Sequence, residues 1–116
     1  MNRGDIILVR FPHPSGVRGK KRPAVVVQSD AYNQTVQTVV VAEVTKNLTM
    51  AGDPACLFID VNTPEGRGTG LKHSSVVSCL LLATIDGDRV DMKLGQLSTA
   101  LRNSLSDCLK AALEIQ

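Results

Sequence analysis

Three consecutive cations in Gly19-Lys20-Lys21-Arg22-Pro23 run directly into the apolar segment Ala24-Val25-Val26-Val27. Proline biases the residue before it toward an extended backbone, which makes Arg22 the cation with the most fixed setting. A guanidinium held in this way beside two further positive charges suits a phosphate, which it can meet with two parallel N–H bonds. A lone basic triplet is more often a solvated loop. Its surroundings shift the balance: up to Lys46 the chain holds Arg3, Arg10, Arg18, Lys20, Lys21, Arg22 and Lys46 against Asp5, Asp30 and Glu43, a basic excess in the N-terminal half. His13 lies in the same loop as the triplet and His73 in a later one. Imidazole titrates in the range that suits proton transfer, so His13 is a possible general base and His73 a weaker one; an exposed loop histidine is the competing reading of each.

Other chemistries find little support. Cys56, Cys79 and Cys108 are far apart and stand among apolar neighbours, a spacing that fits neither a disulfide framework nor a metal site. They read as buried, reduced thiols. No paired carboxylates accompany either histidine, so a metal hydroxide is not expected. Asn62-Thr63-Pro64-Glu65-Gly66-Arg67-Gly68-Thr69-Gly70 does not match a phosphate-binding GxxxxGK[ST] pattern, and its glycines read as turn residues. The 116 residues, 43% hydrophobic and 21% charged, predict one soluble domain, residues 1–116, without a linker. The formal net charge of +2 is too small to prove a nucleic-acid partner by itself. With no apolar run long enough to span a bilayer and none behind Met1-Asn2-Arg3-Gly4-Asp5, the expected location is the cytoplasm, away from membranes.

The elements that must position the cations follow from the pattern of apolar residues. Ile6 to Phe11 reads as a first strand, and Pro12 to Arg22 as a long loop. Ala24 to Gln28 is the second strand, Ser29 to Asn33 a capped helical turn, and Thr38 to Val44 a largely buried third strand. Cys56 to Val61 alternates as a fourth strand, and the glycine-rich stretch after it reads as irregular. Ser75 to Ile85 is a central strand whose end, Asp86-Gly87-Asp88, is a hairpin signal leading to a half-buried return strand through Val90, Met92 and Leu94. Leu97, Leu101, Leu105, Leu109 and Leu113 recur every four residues and define a helix from near Ser98. Short strands followed by one terminal helix predict a mainly β fold, a small, strongly bent antiparallel sheet or barrel with the helix packed on it.

The ordered series Gly4-Asp5-Ile6, Phe11-Pro12, Arg22-Pro23-Ala24-Val25-Val26-Val27, Val44-Thr45, Gly70-Leu71, Ser75-Val76-Val77 and Thr84-Ile85-Asp86 resembles the MazF/PemK (Kid-like) toxins of bacterial toxin–antitoxin modules, over nearly the whole chain. The resemblance implies an SH3-like barrel acting as a homodimer. It also implies a sequence-specific endoribonuclease of single-stranded mRNA, restrained by a cognate antitoxin with an acidic, partly disordered segment. Such enzymes use no metal or other cofactor: the substrate's 2′-hydroxyl attacks, leaving a 2′,3′-cyclic phosphate and a 5′-hydroxyl. On the family motif the catalytic arginine falls on Arg22 and the strand-closing threonine on Thr45. Arg18, Lys20, Lys21, Lys46, His73 and Ser75 are then the expected RNA-binding residues.

The chemistry of the two matched residues agrees with this. In-line attack gathers negative charge on the phosphoryl oxygens, and a fixed guanidinium stabilises that charge most in the transition state. Thr45 offers a short, stiff hydroxyl for a phosphate oxygen or the attacking group, whereas strand propensity alone would make it a simple strand end. The chain departs from PemK-type members, which can carry an arginine and an aspartate just before Thr-Ile-Asp; Ser78, Cys79, Leu80, Leu81, Leu82 and Ala83 stand there instead. The general base therefore stays unassigned. Two other readings compete: the gyrase-poisoning branch of the same fold, disfavoured by a C-terminus without an aromatic residue, and a catalytically idle RNA-binding barrel.

Overall fold

The computed structural model describes residues 1–10 and 20–116. The expectations for His13 and Arg18 lie outside these residues. Six strands form one antiparallel sheet: β1 (Asp5–Arg10), β2 (Lys21–Val26), β3 (Thr38–Thr45), β4 (Cys56–Ile59), β5 (Ser75–Asp86) and β6 (Val90–Gln96), in the spatial order β4-β5-β3-β2-β1-β6. Two short helices, α1 (Asp30–Asn33) and α2 (Pro64–Arg67), occupy connections, and α3 (Thr99–Leu113) ends the chain.

Successive strand residues point to opposite faces, and both faces are apolar over most of β1, β2 and β3. On one face Ile6, Val25, Ala42, Val44, Leu57 and Val77 pack with Leu97, Leu105 and Cys108 from and before α3. On the other, Ile7, Val9, Ala24, Val26, Val39, Val41 and Ile85 form a smaller core. The α3 stripe is thus mostly spent within the chain: Leu97 and Leu105 are buried, Leu101 and Leu109 pack against them, and Leu113 stays exposed. Ser98 caps the helix by accepting the Leu101 N–H, and its own hydroxyl donates to Glu65 Oε2 at 2.9 Å.

The structure corrects three expectations. First, β2 begins at Lys21 rather than Ala24, because β1 pairs with it as far as Val9↔Arg22 and Arg10↔Lys21. Arg22 is therefore a strand residue, not a loop residue. Second, Asp86-Gly87-Asp88 does not turn a hairpin onto β5: the chain passes through a 3-10 turn (Gly87–Arg89), and β6 pairs with the open edge of β1 instead. Third, the glycine-rich stretch contains α2, started by Thr63, whose side chain accepts the Gly66 N–H, and by Pro64 in the first turn.

Those glycines also bring the sheet's two edges together. Gly70 adopts a positive φ of 74°, and a Cβ there would run into the Leu94 carbonyl; a Cβ on Gly95 would meet the backbone of Gly68 and Thr69. The Gln96 N–H donates to the Gly68 carbonyl at 3.1 Å. The connection from β4 to β5 thereby leans on β6, and the open sheet takes a barrel-like form without a closing ladder. Cys56, Cys79 and Cys108 are free and buried. Burial, reinforced by the neighbouring thiols, pushes Cys79 up to about 12. Among the described residues no helix is long and apolar enough to cross a membrane.

Candidate active site

The polar site grows out of the second core. Along its face β2 reads Val26, Ala24, Arg22 and β3 reads Val39, Val41, Glu43, Thr45, so the apolar surface gives way to charge at one end of the strands. The β2–β3 ladder pairs Val26↔Val41, Val25↔Ala42 and Ala24↔Glu43, and Arg22 and Thr45 each stand two residues beyond its last pair. Pro23, which has no N–H to give, comes where this ladder stops. Across the other edge of β3, Thr45 pairs with Val76 and Glu43 with Ser78. Just beyond, a register shift leaves Cys79, Leu80 and Leu81 as extra residues on β5, with Leu80 and Leu81 half-exposed.

Arg22, Val44 and Thr45 line two clefts at once. The larger, about 660 Å³, is bordered by Lys20, Lys21, Arg22, Lys46, Lys72 and His73 over an apolar floor that includes Leu71, Met92 and Leu94, with no carboxylate among its described lining residues. The smaller, about 310 Å³, holds Arg22, Glu43, Thr45, Asn47, Thr49 and Ser78, with Met50 and Leu81 at its apolar side. Arg22 is exposed, and among the described residues no hydrogen bond or ion pair occupies its guanidinium. Lys21 differs, since its ammonium lies 3.1 Å from Asp91 Oδ2. Thr45 Oγ1 accepts the Asn47 N–H at 3.1 Å, which fixes the oxygen and leaves its O–H free to donate into the clefts. Asn47 is braced in turn, its Oδ1 accepting from the Thr49 N–H and hydroxyl.

The structure gathers Arg22, Thr45, Lys20, Lys21, Lys46, His73 and Ser75 around the larger cleft. Ser75 is buried and its hydroxyl donates to the His73 carbonyl at 2.8 Å, so only its oxygen lone pairs remain to face a ligand. Sequence reasoning passed over Glu43, Asn47, Thr49 and Ser78. A signal existed for Glu43: it is the one charge within the apolar run of β3 and stands two residues before Thr45, hence on the same face. Among the described residues no three or more of His, Cys, Asp and Glu gather as a metal site would require.

The fold is that of known toxins. An endoribonuclease in complex with its cognate antitoxin from a mycobacterial species superposes with a TM-score of 0.81 at 18% identity, covering 100% of this chain and 97% of that one. Mycobacterium tuberculosis toxin MazF-mt6 gives 0.77 at 21% identity, covering 97% and 98%. At the level of sequence, residues 2–113 match the family described as PemK-like, MazF-like toxin of type II toxin-antitoxin system, and the chain belongs to that family. Similar curated proteins include Endoribonuclease MazF6 of M. tuberculosis strain H37Rv, 28% identical over 99% of this chain and 98% of the relative. Endoribonuclease EndoA of Bacillus subtilis strain 168 is 26% identical over 99% and 96%.

Proposed function

We propose that the chain is the toxin of a type II toxin–antitoxin module and a cytoplasmic endoribonuclease that cuts single-stranded mRNA at short sequences. The observation that carries this reading is that an exposed guanidinium and a fixed hydroxyl, Arg22 and Thr45, line one cleft bordered by cations and by no carboxylate among its described residues. The five Lys and Arg side chains of that cleft attract a phosphodiester backbone, and its apolar floor gives a base a surface to rest on. Arg22 and the Thr45 O–H stabilise the phosphoryl oxygens as charge builds on them. The attacking group is the substrate's own 2′-hydroxyl, already tethered beside the phosphorus, so the protein's task is alignment and charge stabilisation. The products are a 2′,3′-cyclic phosphate and a 5′-hydroxyl.

The same cationic cleft offers a seat for an acidic, partly disordered antitoxin segment, which would order on binding and exclude RNA. The active form is read as a homodimer, and light scattering at micromolar concentration tests that directly; a monomer that still cuts RNA contradicts it. The reaction itself is tested with an oligonucleotide carrying one 2′-deoxy nucleotide on the 5′ side of the scissile phosphate. It should bind nearly as well as RNA and stay intact, with or without EDTA. Rapid cleavage of that substrate, or strict dependence on a divalent metal, would overturn the mechanism. Failure of the unmodified RNA to be cut would leave an idle RNA-binding barrel.

A further inference from the structure

The reaction needs a group to take the proton from the attacking 2′-hydroxyl, and neither Arg22 nor Thr45 is suited to it: a guanidinium stays protonated, and the Thr45 oxygen already accepts from Asn47. Glu43 is the one carboxylate lining the smaller cleft among the described residues. It lies on the same strand face as Thr45, two residues before it, and its partners across the neighbouring strands are Ala24 and Ser78. The other lining groups are Arg22 from β2, Val76, Ser78 and Leu81 from β5, and Asn47, Thr49 and Met50 from the connection after β3, so Arg22 is the other charged one. The glutamate is half-buried, yet no hydrogen bond or ion pair ties up its carboxylate among the described residues. Its oxygens open onto the cleft that ends at Arg22 and Thr45, and no group among the described residues competes for them, which leaves them free to accept a proton.

Resting on the ribonuclease reading above, we propose that Glu43 is the general base of the cleavage. Its carboxylate accepts the 2′-hydroxyl proton as the 2′-oxygen bonds to phosphorus; the bond from phosphorus to the 5′-oxygen breaks, and that oxygen takes a proton from solvent water. Arg22 stabilises the phosphoryl charge alongside. The base thus comes from β3, next to the threonine, and not from β5, where Ser78 and Leu80 stand.

Single-turnover cleavage of RNA across pH by the native protein, Glu43→Gln and Glu43→Asp, with binding of the 2′-deoxy oligonucleotide followed by fluorescence anisotropy, tests the assignment. Glu43→Gln keeps the shape and removes the base. It should bind the 2′-deoxy strand as the native protein does, cut about a hundredfold or more slowly, and lose the limb of the profile on which rate rises with pH. Glu43→Asp should regain part of the rate and the limb with it. A Gln variant that cuts at the native rate, or keeps the rising limb, overturns the assignment; so does a change of preferred sequence at undiminished rate, which would make Glu43 a reader of bases. If Gln fails to fold, Glu43→Ala takes its place, and an Ala variant that cuts at the native rate or keeps the rising limb overturns the assignment equally. A native protein that cuts no RNA defeats the ribonuclease reading instead.

Discussion

Arg22 and Lys20 share a cleft but have unequal settings, so the catalytic role proposed for the first and the binding role proposed for the second can be told apart. Arg22 is held in a strand by its pairing with Val9 and by the proline after it, whereas Lys20 precedes the strand on a flexible stem. Arg22→Ala is expected to slow the bound-state cleavage step by about a hundredfold or more, the scale for loss of one preorganised charge stabiliser. Lys20→Ala should leave that step alone and weaken binding in a salt-dependent way. Single-turnover rates at saturating protein check both; equal effects on affinity alone would demote Arg22 to an anchor. A second residue, Cys79, makes a statement about pH. Burial raises its thiol from 9.0 to about 12, so between those values the unfolded chain has lost a proton that the folded one keeps. Stability is unaffected below about 9 and falls as pH rises toward 12, with Cys108 adding to the same trend because its thiol is also raised by burial. Urea midpoints measured over this range should drop, and less steeply in Cys79→Ala.

At the scale of elements, the decisive contacts are backbone to backbone. Gly70 combines a positive φ of 74° with an approach to the Leu94 carbonyl that leaves no room for a side chain. Gly70→Ala should therefore cost about 2 kcal/mol or more in urea unfolding, against a smaller effect for Gly52→Ala, where a Cβ would meet nothing within 4 Å. This contact shows where the sequence was readable. Apolar periodicity located every strand and the start of α3 near Ser98, because burial and side-chain direction write themselves into spacing. Arg22 already stood out as the cation fixed ahead of Pro23, whereas Thr45 was singled out only through the family pattern. The path of β6 was not readable, since Asp86-Gly87-Asp88 carries a local turn signal while the partner of that strand, β1, lies about eighty residues away in sequence. Glu43 escaped notice for a related reason: its neighbours Ala24 and Ser78 lie across two strand pairings that no local window contains.

The whole molecule carries a formal charge of only +2, but its cations are unevenly spread. Lys20, Lys21, Arg22, Lys46 and Lys72 border one cleft, with Lys21 partly neutralised by Asp91. If a single strand follows that cleft and meets three to five of them, the logarithm of its binding constant should fall against the logarithm of salt with a slope of about −2 to −3.5. Fluorescence titrations with an uncleavable 2′-deoxy strand at several salt concentrations measure it, and a slope near zero would rule the cleft out as the RNA path. The two-faced packing of β1, β2 and β3 has a further consequence, for how such a toxin diverges. Ile6 and Val25 answer to one core while Ile7, Val9, Ala24 and Val26 answer to the other, so a change at any of these positions meets close packing on whichever face it lies. Drift is left to the strand ends and connections, where Lys20, Asn47, Thr49 and Lys72 stand. Substitutions there can change what the clefts present to a bound strand while the strand framework stays in place.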